Sequence, residues 1–509
     1  MSRKVSLIHI VRRLAEAGLL TPGVILDFLR TAIGQGVTIA ALARFAARQF
    51  GDRVAVADEA RSLSFRELAD ESDRLAAVLS ANHRIARGTP VGVLCRSGCD
   101  FVLVVVAASR LGARVLLMNP EMSGPQLAAM TERQGIRLIL GQEDTIQCLG
   151  ATADTVDVAA LGRTEPARDV RLRRLDGGEL VILTGGTTGP PKAASRKPSP
   201  GAFLLLFIHL VTALELDRHQ RVYIAVPLCH GYGVAALLVA LTLGRTVHLM
   251  ARYRTEDAVA LIEREDIDVL AVVPVILQRL LSAEGADLSG VKRVITGGAA
   301  LPPALARRTQ ERLGMVLFNL FGSSEAGVSV FATPEDLADA PATIGREIWG
   351  VRADVLDDQD QPVAIGKVGR LVIRNRAAMT GARAVATGDL ASRDPEGRLY
   401  IHGRADDMVI SGGEKVHPWE VETVLMDHPD VQEAAVLGVA DPDFGQRLSA
   451  FVVPRPGCGL TPRDLDAWLA GRVARYQRPR DIALRSSLPI TPVGKLDRRA
   501  LRATLETAG

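Results

Sequence analysis

The sequence predicts an α/β protein: a large N-terminal domain of helix-covered, mostly parallel sheets, then a small C-terminal α+β domain. Three observations point there. The 509 residues exceed what one ordinary hydrophobic core holds, so two or more domains are expected. From about Ile39 to Gly403, short β-branched runs alternate with amphipathic helical stretches, the pattern of parallel strands joined by crossover helices. Beyond about residue 404 the pattern changes to helices alternating with two strand-like runs.

Taken in order, the elements support that division. Val5–Leu20 is amphipathic, with Arg12 and Arg13 amid aliphatics. It reads as a helix of an N-terminal extension, residues 1–38, packed on the main body. A basic amphipathic helix can also lie on lipid, which leaves a peripheral membrane contact open. Leu180–Leu183 reads as a buried strand. Ala202–Leu214 is the longest apolar run, but it contains His209 and is too short to span a bilayer, so a buried helix is expected. Val222–Val226, Val269–Val273 and Val291–Ile295 read as strands. Strand ends run into Gly-rich turns at Thr184, Thr296 and Phe321; in open α/β sheets ligands gather at such carboxyl ends. In the tail, Pro418–His428 and Pro462–Tyr476 each carry a proline in the first turn, and Thr461 is placed as an N-cap. Ala434–Val439 and Ser449–Val453 read as the strands between them.

Composition narrows the function classes. Apolar residues make up 48% of the chain, charged residues 23%, and the net charge is +3. A charge so small for this length predicts no nucleic-acid partner. The five cysteines are scattered without metal-ligand or paired spacing, which predicts a reducing compartment, no disulfide framework and no structural zinc. Charges recur through the first twenty residues, so no signal peptide is read there, and a cytoplasmic location is expected.

The run Leu183-Thr184-Gly185-Gly186-Thr187-Thr188-Gly189-Pro190-Pro191-Lys192 carries the most chemical information. Glycines let backbone N–H groups crowd around phosphate oxygens, threonine hydroxyls donate further bonds, and a lysine adds a point charge. Two prolines separate the last glycine from Lys192, so this is not the Gly-Lys-Ser/Thr ending of a Walker A loop.

The run resembles the phosphate loop of the adenylate-forming superfamily, which includes acyl-CoA synthetases, carrier-protein adenylation domains and luciferases. Gly185 stands where serine is usual and Ala193 where a glycine follows the lysine. Further motifs follow in the family's order. Asn319-Leu320-Phe321-Gly322-Ser323-Ser324-Glu325 resembles Tyr-Gly-x-Thr-Glu, with Phe321 for tyrosine and Ser324 for threonine. Thr387-Gly388-Asp389 and Gly403-Arg404-Ala405-Asp406 match the next two. Ile410-Ser411-Gly412-Gly413-Glu414-Lys415 continues them, and Pro489-Ile490-Thr491-Pro492-Val493-Gly494-Lys495 matches the last. Pro227-Leu228-Cys229-His230-Gly231-Tyr232-Gly233 is similar to the family's Pro-Leu-x-His-x-x-Gly. Singly, a Thr-Gly-Asp is a common turn and an Arg/Asp cluster a solvated face; the ordered set gives them weight.

The resemblance implies a large AMP-binding domain over residues 39–403, with a β-barrel-like subdomain, and a small mobile domain over 404–509 hinged near Asp406. It implies that ATP or AMP is bound by Thr184, Gly185, Gly186, Thr187, Thr188, Gly189, Lys192, Gly298, Ala299, Asn319, Phe321, Gly322, Ser323, Ser324, Asp389 and Arg404. Magnesium is placed at Thr188 and Glu325, because Mg²⁺ prefers hard oxygen ligands shared with phosphates. Ser411, Gly412, Gly413 and Lys415 are placed on the coenzyme A path. Lys495 is the expected catalytic cation, aided by His230 and Glu325. His230, Gly231, Val234, Gly297 and Gly298 are placed around the acyl group.

Those assignments imply a two-step ligase using ATP, Mg²⁺ and coenzyme A. No acidic residue lies between Pro227 and Met250, where amino-acid-activating relatives place one to pair the substrate ammonium. Val234–Leu243 is almost wholly aliphatic, aromatics are few, and Ile410 stands where many members carry lysine. A medium- or long-chain fatty acid is therefore the expected substrate, for a monomer or homodimer. Two alternatives stay open: an acyl-AMP ligase loading a carrier-protein phosphopantetheine, and a non-catalytic nucleotide- or acyl-binding relative, suggested by Gly185 and Ala193.

Overall fold

The computed structural model describes residues 12, 15, 21–24, 26–27, 38–147, 153–167, 172, 178–186, 189–196, 200–323, 325–375, 384–411, 414–441, 445–491 and 496–506. Two units separate. The larger comprises Met1–Ala342, Glu347–Val351 and Asn375–Arg383; the smaller comprises Thr343–Arg346, Arg352–Arg374 and Ala384–Gly509.

The larger unit holds two sheets. In one, the strand order is Asp154–Asp157, Leu138–Gly141, Pro90–Leu94, Arg114–Leu117, then β1 (Glu179–Gly186) and β2 (Gly189–Arg196). All neighbours are parallel except the β1–β2 hairpin. In the other, β3 (Arg221–Ile224), β4 (Val269–Val272), β5 (Arg293–Gly297) and β6 (Leu317–Ser323) run parallel, and β7 (Gly327–Ala332) turns back antiparallel on β6. On the far side of β3 this sheet continues through Thr246–His248 to Val54–Ala57. The parallel strands are covered on both faces, which is why Val269–Val272 is apolar throughout and wholly buried.

The expected helix after the phosphate run is α1 (Pro200–Leu214). Phe207, Leu210, Val211 and Leu214 are buried, the spacing of one helix face. They join a single core with the helix α2 (Gly231–Thr242) and residues of both sheets. Among the described residues no helix is long and apolar enough to cross a membrane. Of the Val5–Leu20 stretch, all but residues 12 and 15 lie outside the described residues. The described cysteines Cys95, Cys99, Cys229 and Cys458 are free.

The smaller unit contains a sheet in the order Val351–Leu356, β8 (Gly369–Asn375), β9 (Val385–Arg393) and β10 (Leu399–Arg404), antiparallel from β8 to β10. It also contains the α+β tail. There β11 (Val431–Asp441) and β12 (Gly445–Pro454) form a long hairpin, and Asp481–Leu484 pairs parallel to β12. The helices α3 (Pro418–Met426) and α4 (Pro462–Leu469) cover it. Thr461 caps α4 as expected, accepting from the Asp464 N–H at 3.3 Å while its own N–H donates to the Asp464 carboxylate at 2.9 Å. The helix expected to reach Tyr476 stops at Leu469. Ala470 is extended and Gly471 takes φ +79°, in the left-handed region. The chain resumes only as a short 3₁₀ turn, Arg475–Gln477.

The tail core is small: Val421, Leu425, Val436, Leu448, Val452, Leu465 and Leu469 form its centre. Leu425 is fully buried there. Leu425→Ala is predicted to destabilise the smaller unit by about 2–5 kcal/mol, read as a lowered urea midpoint.

Candidate active site

The Gly/Thr-rich run forms a β-hairpin. Backbone pairing continues past Leu183, with Thr184 opposite Lys192 and Gly186 opposite Gly189. Strand β1 therefore extends three residues further than the sequence suggested. Thr187 and Thr188 lie outside the described residues.

Beyond β3 the chain reaches Pro227-Leu228-Cys229-His230. The Leu228 N–H donates to Ser97 Oγ at 3.0 Å, and the His230 N–H donates to the Pro227 carbonyl at 3.1 Å. His230 is the N-cap residue of α2, with its backbone extended, and it is half-buried. Helix α2 starts close against this turn: a Cβ at Gly233 would lie 2.6 Å from the Pro227 carbonyl oxygen. At Gly231 a Cβ would meet Ile182 at 3.2 Å. The Tyr232 hydroxyl donates to the Ile295 carbonyl at 2.7 Å, which ties α2 to β5. Cys229 is buried and its thiol is pushed up to about 12 by that burial, so it is not a nucleophile at neutral pH.

Strand β5 ends at Gly297, where a Cβ would lie 2.8 Å from the Leu320 carbonyl oxygen of β6. Gly298 follows with φ +79°, and Ala299 continues the turn. On β6, Asn319 is only 3% exposed and sits opposite Thr296 of β5. Asn319 Oδ1 and Thr296 Oγ1 are both buried and have no hydrogen-bond partner among the described residues. The sequence marks Thr296 only as a strand end; its place in the buried strand just before Gly297-Gly298 is the available signal. Phe321 is half-buried. Gly322 allows β7 to close on β6, since a Cβ there would fall 2.3 Å from the Gly327 carbonyl oxygen. The Ser323 hydroxyl accepts the Ala326 N–H at 3.0 Å. Glu325 is half-buried; Ser324 lies outside the described residues.

In the smaller unit, Asp389 on β9 pairs directly with Arg404 on β10. Their charged groups approach to 3.5 Å, and the Arg404 guanidinium also donates to the Thr387 carbonyl at 2.8 Å. Thr387 Oγ1 accepts the Asp389 N–H at 3.1 Å and donates to the Leu371 carbonyl at 3.1 Å. Gly388 takes φ +79°, and a Cβ there would lie 2.5 Å from the guanidinium. Asp406 falls in the 3₁₀ turn Ala405–Asp407. Ser411 and Lys415 lie on the paired strands of a short hairpin, Val409–Ser411 with Glu414–Val416. Gly412, Gly413 and Lys495 are outside the described residues. Just after Lys495, Leu496 bridges to Ile490 and the Asp497 N–H donates to the Pro489 carbonyl at 2.8 Å.

In each unit the residues suit a part of a nucleotide. A buried amide oxygen without a protein partner can accept from a base amine, and a carboxylate beside a guanidinium suits sugar hydroxyls and phosphate. Among the described residues no group of three metal-ligating side chains occurs. A single carboxylate, Glu325, is still compatible with Mg²⁺, which is commonly held by one or two carboxylates plus substrate phosphates.

The profile of the AMP-binding enzyme family matches residues 43–381, and that of its C-terminal domain matches residues 420–495. The chain belongs to the AMP-binding enzyme family. Among curated members of the family, it is 32% identical to salicylyl-CoA synthase / salicylate adenylyltransferase of a Streptomyces species, over 90% of this chain and 91% of that protein. It is 29% identical to 2-succinylbenzoate–CoA ligase of Geobacillus kaustophilus, over 89% and 95%. Among solved structures of the family it is similar to o-succinylbenzoate CoA synthetase from Bacillus subtilis in complex with ATP and magnesium. That match has a TM-score of 0.80 and 25% identity, covering 91% of this chain and 99% of that one. The same enzyme has been seen with its acyl-adenylate intermediate, at a TM-score of 0.79. The α/β architecture with its smaller C-terminal domain is the family's. ATP, Mg²⁺ and coenzyme A, expected from the sequence, agree with these members. The fatty-acid branch is not supported: these relatives are named for salicylate and succinylbenzoate.

The contact between Gly388 and Arg404 yields a prediction for this AMP-binding enzyme. Gly388→Ala should displace the guanidinium and raise the KM for ATP by about tenfold, the loss of one charge-assisted hydrogen bond. Gly397 has a similar positive φ of 84° but open space around it. Gly397→Ala should leave that KM unchanged. Pyrophosphate release against ATP concentration reads both.

Proposed function

We propose that the protein is an AMP-forming acid–thiol ligase. An oxygen of the substrate carboxylate attacks the α-phosphorus of ATP, forming acyl-AMP and releasing pyrophosphate. The thiolate of coenzyme A then attacks the acyl carbonyl carbon, the bond to AMP breaks, and a thioester and AMP leave. The observation that carries this reading is the Asp389–Arg404 pair, held across adjacent strands by the Thr387 carbonyl and the Gly388 turn. It offers a hydroxyl acceptor and a phosphate-seeking cation in one place, as nucleotide binding requires.

The residues divide the work as follows. Asp389 accepts from the ribose hydroxyls and Arg404 reaches the phosphate. Asn319 Oδ1, buried and without a partner among the described residues, accepts from the adenine amine. When bound, Mg²⁺ neutralises phosphate charge, with Glu325 as its protein ligand. His230, on the turn before α2, orients the substrate carboxylate. Lys495 supplies positive charge to the α-phosphate as it is attacked; such electrostatic help is usually the largest protein contribution to this chemistry. The domain limits 39–403 and 404–509 and the hinge at Asp406 belong to the same proposal. Turning about that hinge withdraws Lys495 and presents the Gly412–Lys415 loop to the thiol, so that each step uses its own groups.

The acid lacks a positive charge near its carboxylate, because Pro227–Met250 holds no acidic partner for one. The aliphatic stretch Val234–Leu243 is weaker support for a fatty chain than its composition suggested. Val234, Leu237, Val239, Ala240, Leu241 and Leu243 are all buried in the core.

Lys495→Ala separates the two steps. It is expected to slow pyrophosphate release on the order of a hundredfold or more, while supplied acyl-AMP is still converted to thioester. Measuring AMP release with and without coenzyme A identifies the acceptor: dependence on coenzyme A is the expected result.

A further inference from the structure

His209 lies near the C-terminal end of α1, on the face that packs toward the β5–β6–β7 sheet. Its ring meets Phe331 of β7 at 5.5 Å between centroids and 86°, and Trp349 at 5.0 Å and 83°. Two near-perpendicular contacts hold the imidazole between these rings. Both of its nitrogens are buried, and neither has a hydrogen-bond partner among the described residues. Burial pushes its pKa down to about 4, so at neutral pH the ring is uncharged, with one donor and one acceptor. Buried polar groups are normally satisfied, and nothing in the mechanism above uses this one.

Strand register connects His209 to the acyl side of the proposed site. Gly297, Leu320 and Phe331 are direct cross-strand neighbours, and side chains paired in this way share one face of a sheet. A Cβ at Gly297 would lie 3.2 Å from the Leu320 Cβ, consistent with that shared face. Two strand spacings, about 10 Å, separate Gly297 from Phe331. Helix α1 covers this face: the Leu214 carbonyl accepts from Arg293, which alternates with Ile295 and Gly297 along β5. The row therefore runs from Gly297, which has no side chain, past the buried Leu320 to an aromatic wall carrying two nitrogens without a partner among the described residues. Phe318 extends that wall, stacked on Phe331 at 5.5 Å and 24°.

We infer that His209, Phe331 and Trp349 select the acid: the substrate is an aromatic carboxylic acid whose ring bears a hydroxyl group hydrogen-bonded to the His209 imidazole. This rests on the acid-activating reading above and names its substrate class. The wall gives a planar ring edge-to-face partners, whereas an alkyl chain at the same place leaves both nitrogens unsatisfied. Because the imidazole stays neutral above about pH 5, recognition is by hydrogen bonding and is insensitive to pH from there upward.

The test compares kcat/KM for pyrophosphate release with the monohydroxybenzoates, benzoate, octanoate and palmitate, in the wild type, His209→Leu and His209→Gln. At least one hydroxybenzoate should exceed both fatty acids by about tenfold or more. His209→Leu should lower that value by about tenfold, leave benzoate within about threefold, and leave the KM for ATP unchanged. His209→Gln, which can still donate and accept, should recover part of the loss. Preference for octanoate or palmitate overturns the inference, as does an equal loss for hydroxybenzoate and benzoate in His209→Leu. Equilibrium dialysis of labelled hydroxybenzoates separates this inference from the reading beneath it. If no acid releases pyrophosphate yet one hydroxybenzoate binds saturably, and about tenfold more weakly to His209→Leu, the acid pocket stands and the adenylation reading falls. If none binds saturably, the inference itself falls.

Discussion

Parallel pairing from β3 to β6 is the constraint on which the larger unit's chemistry depends. Parallel strands must all finish on the same edge of their sheet, because each is joined to the next by a crossover that returns the chain to the start. The turn before α2, the Gly297-Gly298 turn and the Phe321–Ser323 end of β6 lie at the carboxyl ends of three of those strands, so they gather along one edge without any contact having to be specified between them. Glycines at Gly297, Gly322 and Gly233 let the backbone close up there, where a Cβ would fall within 3 Å of a carbonyl oxygen. The side chains of the candidate site are therefore placed by backbone geometry, and the core beneath them serves to keep that edge in register.

The smaller unit reaches a comparable result by an antiparallel ladder. Register places Asp389 opposite Arg404, and the left-handed Gly388 turn leaves room for the guanidinium to reach back to the Thr387 carbonyl. Arg404 remains 42% exposed at its side chain while Asp389 is 17% exposed. A cation that is tethered at one edge and open at the other is well placed to meet a phosphate without first being stripped of a buried partner. Val409–Ser411 pairs with Glu414–Val416, and Ile490 bridges to Leu496.

Much of the fold was legible because strong local signals agreed with the tertiary structure. The strands near Val222, Val269 and Val291, the buried helix around Ala202–Leu214 and the Thr461 cap are present, with ends shifted by a few residues. The sequence carries the helix on to Tyr476 because a glycine in the left-handed conformation cannot be distinguished by sequence from one inside a poor helix. The proposed nucleotide residues stand out in the sequence as motifs, since their backbone roles demand particular residue types at fixed spacing. The packing of His209 against Phe331 and Trp349 was not legible. The low count of aromatics pointed toward a fatty chain, yet His209, Phe318, Phe331 and Trp349 are brought together from separate stretches of chain. The aliphatic run that suggested a fatty chain went largely into the core. Composition reports which side chains exist; only register and helix packing report which of them share a face.

The central claim is that a carboxylate oxygen of the acid attacks the α-phosphorus of ATP. Isotope transfer tests it most directly: an acid labelled with ¹⁸O in its carboxyl group is turned over with ATP and coenzyme A, and the products are separated by mass spectrometry. The account predicts one labelled oxygen in the phosphate of AMP and none in pyrophosphate. Label in orthophosphate, with ADP as the nucleotide product, would place the attack at the terminal phosphorus and contradict it.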